Sequence, residues 1–269
     1  MLTGGDFDAI RDIVRLRSGI ELDPSQRYLA ETRLQPLLHD RGLASIAELV
    51  RRVRGNDLAS RAREAQLVDA RTTNETSFFR DRVPFEVLER VVFPALAGRT
   101  TPPVRVWSAA CSTGQEAYSI ALVLLDGFPS LAREAQVLGT DISPTVVERA
   151  QDGCYTGTEV GRGLPRDLLV RHFREEKAGW RVDPSVRRLV RFQVGNLLDP
   201  APFGGFDVVF LRNVLIYFAP ATRDGILRRV HRALRPGGWL FLGGSEAQAP
   251  SIELFDRQTH LGVHVFRPR

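Results

Sequence analysis

Residues 105–120 (RVWSAACSTGQEAYSI) combine a short apolar segment, a loop of small residues and the start of a helix. Small residues between a strand and a helix let a ligand approach the backbone closely, as in the first turn of a nucleotide-binding α/β sheet. The loop holds one glycine, Gly114, which disfavours a GxGxxG dinucleotide site. Glu116 stands where a pyrophosphate would lie, so the pattern favours a ligand that carries a positive group.

An acidic residue at the end of a second apolar run agrees with such a site. Asp141 closes the predicted strand in residues 137–143 (VLGTDIS), and Pro144 follows at a predicted helix start. A carboxylate at this place typically binds a ribose diol, although Asp141 could instead only cap the helix together with Ser143. A ligand that joins a ribose to a cationic amino-acid tail is S-adenosylmethionine (SAM).

The composition is that of a globular chain, with 269 residues and 43% hydrophobic content. This length predicts one large domain, or one with a smaller companion. No apolar run reaches the roughly 18 residues of a membrane span. The first residues also lack the pattern of a signal peptide, so we expect a cytoplasmic protein without membrane insertion. Cys111 and Cys154 form no CxxC pair and the histidines no HExxH pattern, so we expect neither a structural disulfide nor a metal site.

The net charge of +5 comes almost entirely from arginine, because Lys177 is the only lysine. Arginine suits bidentate pairing with carboxylates and phosphates, so a basic surface fits an acidic protein or nucleic acid equally well. Residues 6–70 show helical periodicity. Five arginines near the second and third predicted helices form either a solvated face or a docking surface, and they are Arg27, Arg33, Arg51, Arg52 and Arg54.

After a linker at 98–103, predicted strands and helices alternate, which indicates a Rossmann-like α/β fold with a parallel sheet. The segments are strand 104–110, helix 115–125, strand 136–142, helix 144–151, strand 206–211, helix 224–234 and strand 239–243, with edge strands within 255–266. Residues 169–195 break this alternation and predict a small antiparallel insert with a turn at Gly179. Such an insert is either a recognition element or purely structural.

Six ordered motifs together give the chain a family resemblance. They are residues 73–80 (TNETSFFR), 107–116 (WSAACSTGQE), 139–143 (GTDIS), 153–155 (GCY), 190–197 (VRFQVGNL) and 212–218 (RNVLIYF). With these motifs the chain resembles the CheR-type chemotaxis receptor methyltransferases, a family of protein-glutamate O-methyltransferases, over almost its whole length.

The resemblance implies a small all-α domain in front of a SAM-dependent methyltransferase domain. Residues 1–71 would recognise the substrate, 72–103 would form a linker and connecting helix with a cofactor motif, and 104–269 would hold the SAM domain with its β insert at about 169–195. The implied activity is methyl transfer from SAM to glutamates of chemotaxis receptors in sensory adaptation, with S-adenosylhomocysteine as product. The partner would be the cytoplasmic signalling domain of a chemoreceptor, and a receptor C-terminal peptide would be a possible ligand of the insert.

The resemblance also implies roles for particular residues. Arg80 and Tyr217 would lie near the methyl-transfer centre, and Arg80 could hold the carboxylate of either substrate or cofactor. The five arginines would dock the acidic receptor bundle. The implied cofactor contacts are Asn74, Thr76, Arg80, Glu116, Asp141, Asn196, Leu197, Asn213 and Val214.

The implied chemistry needs neither a general base nor a metal. A glutamate with a pKa of about 4.3 is already ionised at neutral pH, so the enzyme has to align two reactants and exclude water. Opposite charges cancel in the transition state, so an apolar pocket lined by Phe78, Phe79 and Tyr217 should help.

Other functions are less compatible with the motifs. Amino-methylating nucleic-acid enzymes carry prolines after the fourth strand, and 5-cytosine enzymes a thiol, whereas residues 213–217 hold neither. The sequence therefore predicts no nucleic-acid partner. A SAM-binding signalling module and a methyltransferase of a non-receptor protein stay open as alternatives.

Overall fold

The computed structural model describes residues 4–23, 34–35, 38–39, 42–53, 75–98, 103–247 and 253–269. The chain forms two compact units. Unit 1 comprises Met1–Thr73 and Tyr217–Thr222, and unit 2 comprises Asn74–Ile216 and Arg223–Arg269. None of the helices in these described ranges is long and apolar enough to cross a membrane.

Unit 1 has an all-helical core in the part that is described. Helix α1 spans Gly4–Ser18 and helix α2 spans Ile46–Val53. Both helices bury apolar side chains at helical spacing, and these pack in one cluster that includes Phe7, Ile10, Val14, Ile46, Leu49, Val50 and Val53. Ile20 forms an antiparallel bridge with Phe218, and the Glu21 N–H donates to the Tyr217 carbonyl at 2.8 Å. The segment 217–222 thereby joins this unit.

Unit 2 is built on a seven-stranded sheet in the order β6-β2-β1-β7-β8-β10-β9. Its strands are β1 Arg105–Ala109, β2 Gln136–Asp141, β6 Val190–Val194, β7 Phe206–Leu211, β8 Leu234–Leu242, β9 Phe255–His260 and β10 Val263–Pro268. The first five strands in this order pair in parallel, and β10 pairs antiparallel with both β8 and β9. All six residues of the central strand β7 are buried. The predicted α/β fold with a mainly parallel sheet is confirmed.

Helices occupy most of the connections between the strands of unit 2. A connecting helix runs through α3 (Val83–Val87), a π-helical turn (Leu88–Val92) and α4 (Phe93–Ala97). The others are α5 Gln115–Gly127, α6 Pro129–Ala132, α7 Pro144–Asp152, α8 Gly157–Gly161, α9 Arg166–His172, α10 Pro184–Arg187 and α11 Pro220–Ala233. The Ser143 hydroxyl accepts the Val146 N–H and so caps α7.

The small antiparallel sheet has three strands, β3 Cys154–Tyr155, β4 Phe173–Glu176 and β5 Gly179–Val182, in the order β3-β5-β4. It therefore begins earlier than the predicted insert at 169–195. Residues 190–194, which the prediction assigned to the insert, instead form β6 and pair in parallel with β2. The sequence of β6 alternates apolar and polar residues, as an only partly covered edge strand can. This alternation misled the prediction, because it does not distinguish a parallel edge strand from a strand of an antiparallel hairpin.

Candidate cofactor site

The loop between β1 and α5 is held in a constrained shape. Ala110, Ser112 and Gly114 adopt φ values of 61°, 50° and 94°. Such left-handed conformations are costly for alanine and serine, so neighbouring contacts have to hold them. The Cys111 N–H donates to the Thr140 carbonyl at 2.9 Å, and the Gly114 N–H donates to the Cys111 carbonyl at 3.1 Å.

Aromatic and small side chains close the same loop from the side of α7 and β3. A Cβ at Gly114 would lie 2.9 Å from the Ala150 Cβ and 3.1 Å from the Tyr155 hydroxyl, so the position has no room for a side chain. The buried Tyr155 hydroxyl donates to the Thr113 carbonyl at 2.7 Å. Burial raises the pKa of both Tyr155 and the Cys111 thiol, so both stay neutral at physiological pH.

Asp141 lies buried at the end of β2, beside this loop. Its Oδ2 accepts the Ser112 N–H at 2.9 Å, and its Oδ1 accepts the Ser143 N–H at 3.1 Å. The helix-cap interpretation and the ligand interpretation are compatible in this geometry, because an ionised carboxylate has about four lone-pair sites. The ribose contact of Asp141 stays a prediction.

Glu116, in the first turn of α5, belongs to an ionic network centred on the buried Arg212. It accepts the Ser108 hydroxyl at 2.8 Å and Arg212 Nη1 at 2.9 Å. The Arg212 side chain is only 1% exposed, and its Nη2 donates to Asp81 Oδ2 at 2.7 Å and to the Arg80 carbonyl at 3.0 Å. Arg212 thus joins the end of β7, the start of α5 and the turn that carries Arg80.

Arg212 was not among the predicted site residues. The available signal in the sequence was a charged residue placed directly after the predicted strand 206–211. Its guanidinium also lies 5.9 Å from the ring centroids of both Phe85 and Phe210, at a distance that permits cation–π attraction.

Backbone strain concentrates in the motif loops. Among the non-glycine residues that the structure describes, those with positive φ are Phe79, Asp81, Arg82, Ala110, Ser112, Asn213 and, in the β9–β10 turn, Leu261. Conformations of this kind cluster at ligand-binding and active sites, where the surroundings over-determine them. Three separate motifs therefore show the same physical sign of a functional site.

A cavity of about 350 Å³ lies on the strained turn. It is lined by residues 75–82 with Arg162 and Gly163, so it includes the predicted residues Thr76 and Arg80. Arg80 Nη1 donates to the Glu75 carbonyl at 2.9 Å. The backbone at Gly163 approaches Phe78 so closely that a Cβ would lie 2.1 Å from the Phe78 carbonyl oxygen.

The remaining predicted cofactor residues follow the carboxyl ends of β6 and β7. The half-buried Asn196 accepts the Leu198 N–H on its Oδ1 at 3.0 Å, and Leu197 beside it is also half-buried. Asn213 donates its N–H to Glu246 Oε2 at 2.7 Å, and half-buried Val214 follows it. Asp141 is the last residue of β2, and Glu116 lies in the first turn of the helix after β1. Polar groups therefore stand at one edge of four adjacent parallel strands, where α/β sheets bind ligands.

Other predicted site residues either lie outside the described ranges or belong to unit 1. Asn74, Arg27, Arg33 and Arg54 lie outside them. Tyr217 is half-buried and belongs to unit 1. Arg51 and Arg52 are exposed on α2, and Arg52 forms an ion pair with Glu48 one turn earlier.

Removing the Arg212 cation is expected to destabilise unit 2. We expect Arg212→Met to lower the free energy of unfolding by about 3 kcal/mol, because it leaves the nearly buried Glu116 without its counter-charge. Urea denaturation followed by circular dichroism measures this change. Asp81→Asn is the matched control, since Asp81 is 57% exposed and its loss should cost less than about 1 kcal/mol. Equal losses in the two variants would show that Arg212 does not hold the network.

The residues at the strand ends suit SAM chemically. The small-residue loop leaves the backbone open to close approach, Glu116 can accept an ammonium group, and Asp141 can accept ribose hydroxyls. A side chain at Gly114 would collide with Ala150, Phe192 and Tyr155. The loop therefore has to consist of small residues at this point.

Comparisons with known proteins agree with this chemistry. The chain matches the profile of the CheR methyltransferase SAM-binding domain over residues 74–259 and that of the CheR methyltransferase all-alpha domain over residues 5–70. It is 44% identical over 257 residues to chemotaxis protein methyltransferase Cher2 of Pseudomonas putida, with 92% of each chain covered. It is 42% identical over 250 residues to chemotaxis protein methyltransferase 1 of Pseudomonas aeruginosa, with 90% of each covered.

A Vibrio parahaemolyticus chemotaxis protein methyltransferase is 40% identical over 245 residues, which cover 88% of this chain and 87% of that protein. The resemblance carried by the six motifs is therefore confirmed, as is SAM as the cofactor. This chain belongs to the CheR methyltransferase family and is a SAM-dependent methyltransferase.

Proposed function

We propose that this enzyme transfers methyl groups from SAM to glutamate side chains in the cytoplasmic signalling domains of chemoreceptors, and that it works in the cytoplasm. The proposal rests on one observation: the Arg212 guanidinium binds both the Glu116 carboxylate and the Arg80 carbonyl in the strained turn. This link connects an acid suited to the amino end of SAM with an arginine suited to a carboxylate substrate. The relatives named as chemotaxis methyltransferases support the receptor as the substrate class.

Each cofactor residue has a proposed role. Asp141 binds the ribose hydroxyls, Glu116 binds the methionine amino group, and Asn196 with Leu197 frames the adenine. Four more residues complete the cofactor contacts, namely Asn74, Thr76, Asn213 and Val214. Arg80 and Tyr217 act at the methyl-transfer centre, with Arg80 on a carboxylate of either the cofactor or the substrate.

The proposed chemistry asks the protein for alignment rather than for proton transfer. When bound, SAM supplies an electrophilic methyl group on a sulfonium. The substrate glutamate is already an anion at neutral pH, so no side chain has to deprotonate it. Arg80 orients a carboxylate, and the buried Phe78 with the half-buried Phe79 keeps water away from the turn.

We further propose a division of labour along the chain. Residues 1–71 recognise the receptor, 72–103 connect and contact the cofactor, and 104–269 hold the catalytic domain. The small antiparallel sheet has two edge strands, β3 and β4, and an edge strand can receive an extended peptide as an additional strand. A receptor C-terminal peptide is the proposed ligand of this insert.

Charge reversal tests the docking role of the arginines. Changing Arg27, Arg33, Arg51, Arg52 and Arg54 together to glutamate should raise the KM for a receptor signalling domain at least about tenfold, or about 1.4 kcal/mol, at low salt. The affinity for SAM should stay unchanged. Steady-state methylation at two ionic strengths measures the effect, which should shrink at high salt because exposed charges are screened.

A control for charge reversal elsewhere is Arg228→Glu with Arg232→Glu, which reverses two exposed arginines on α11. It should leave the KM for the receptor near that of the unmodified protein. Unchanged methylation by the five-residue variant at low salt would refute the docking surface.

Mass spectrometry of the product tests the proposed substrate. After incubation with SAM and a receptor signalling domain, peptides should gain one methylene for each modified site, and fragmentation should place it on glutamate side chains. A receptor domain with those glutamates changed to alanine should gain none. Methylation of other residue types, or of the alanine variant to the same extent, would contradict the proposal.

A further inference from the structure

Glu246 is a buried carboxylate that the sequence motifs did not identify. It closes the short 3-10 helix Gly244–Glu246 that follows β8, and it is only 4% exposed. Its Oε2 accepts the N–H groups of Asn213 at 2.7 Å and Gly243 at 2.8 Å, and its Oε1 accepts the Leu215 N–H at 2.7 Å. One side chain therefore binds three backbone donors from two different strand ends.

These bonds hold the loop that follows β7. Asn213 has a φ of 58°, a left-handed conformation that a non-glycine residue keeps only when neighbouring contacts hold it. Leu215 is the first residue of the 3-10 turn Leu215–Tyr217. Hydrogen bonds to a charged acceptor are stronger than neutral ones, so Glu246 fixes the backbone on both sides of Val214.

Gly243 leaves space for this arrangement. A Cβ at this position would lie 2.6 Å from Glu246 Oε2 and 3.0 Å from both the backbone nitrogen and Nδ2 of Asn213. Its φ of −67° and ψ of 153° are open to any residue, so the need for glycine here is steric and not conformational. The missing side chain makes room for the Glu246 carboxylate and the Asn213 amide together.

We infer that Glu246 is a positioning residue for cofactor binding, which sets the 213–214 loop in the conformation that contacts SAM. The inference rests on the proposed assignment of Asn213 and Val214 to the cofactor. Burying a carboxylate is costly, and this one binds the backbone that follows β7, at the ligand-binding edge of the sheet. Glu246 acts through the backbone of Asn213 and Leu215.

The test compares two buried carboxylates that hold opposite ends of β7. Glu246→Gln keeps the shape but turns one acceptor oxygen into a donor that meets N–H groups. Asp207→Asn is the matched control, because Asp207 is 1% exposed, accepts the Arg105 N–H at 2.9 Å and pairs with Arg235 at the other end of the strand. Calorimetric titration with S-adenosylhomocysteine gives Kd, and thermal unfolding gives Tm.

We expect Glu246→Gln and Asp207→Asn both to lower Tm, and only Glu246→Gln of these two to raise the Kd, by at least about tenfold. Gly243→Ala displaces the same carboxylate without removing it and should raise the Kd as well, so the test survives if Glu246→Gln does not fold. Asn213→Ala reports on the underlying assignment. Normal affinity in Glu246→Gln and Gly243→Ala, with weakened affinity in Asn213→Ala, would overturn the positioning role alone. Normal affinity in all three would overturn the assignment of the loop as well.

Discussion

Asp141→Ala is expected to raise the Kd for SAM at least about 100-fold, or about 2.8 kcal/mol. The change removes the acceptor proposed for the ribose hydroxyls. It also releases the Ser112 N–H, which Asp141 Oδ2 now accepts at 2.9 Å, and so loosens the loop between β1 and α5. Both effects act on the same ligand, so the loss should exceed that of a single hydrogen bond. Calorimetric titration of the purified variant with SAM measures it.

Ser143→Ala is the control for the alternative in which Asp141 only supports the N-terminal cap of α7. It removes the hydroxyl that accepts the Val146 N–H at the start of α7, which should cost about 1 kcal/mol of stability. It should leave the Kd for SAM unchanged. If Asp141→Ala also lost only stability and kept its affinity, the ribose assignment would be wrong.

Arg80→Ala should lower kcat/KM for receptor methylation by about 100-fold, a loss typical of removing one charged group that aligns or stabilises the reacting centre. The turn itself should persist, because Arg212 holds it through the Arg80 carbonyl and not through the side chain. Arg82→Ala is the matched control, since it removes the same charge from the same turn. Steady-state kinetics with labelled SAM measures both variants.

The kinetic constants that change in Arg80→Ala identify the carboxylate that Arg80 holds. A raised KM for SAM with an unchanged KM for the receptor would assign the cofactor carboxylate. The opposite pattern would assign the substrate glutamate. Equal activities of Arg80→Ala and Arg82→Ala would remove Arg80 from the methyl-transfer centre.

The sequence predicted those parts of the fold that depend on local patterns. β1, β2 and β7 are short, mostly buried strands in which apolar residues cluster, so their positions followed from the local sequence pattern. The motif loops could be placed at strand ends for the same reason: Asp141 ends β2, and Glu116 lies in the first turn of the helix after β1. Residues 190–194 were assigned to the insert because alternation cannot tell which sheet an edge strand joins.

Arg212 and Glu246 show what local patterns cannot predict. Arg212 meets Asp81 and Glu116, which are far from it in sequence, and no spacing rule brings these three residues together. Glu246 binds the N–H groups of Asn213 and Leu215 only because β7 and β8 are neighbours in the sheet. Their roles depend on strand order, which becomes visible only in the folded structure.

The most direct test of the central claim uses SAM labelled on its methyl group, this protein and a panel of receptor signalling domains. After the reaction, base treatment releases the label of a carboxyl methyl ester as volatile methanol. We expect volatile label from receptors with intact glutamates and none from receptors with those glutamates changed to alanine. Tight SAM binding without any base-labile label on the receptors would contradict receptor glutamate methylation and indicate a different protein target or a sensor role.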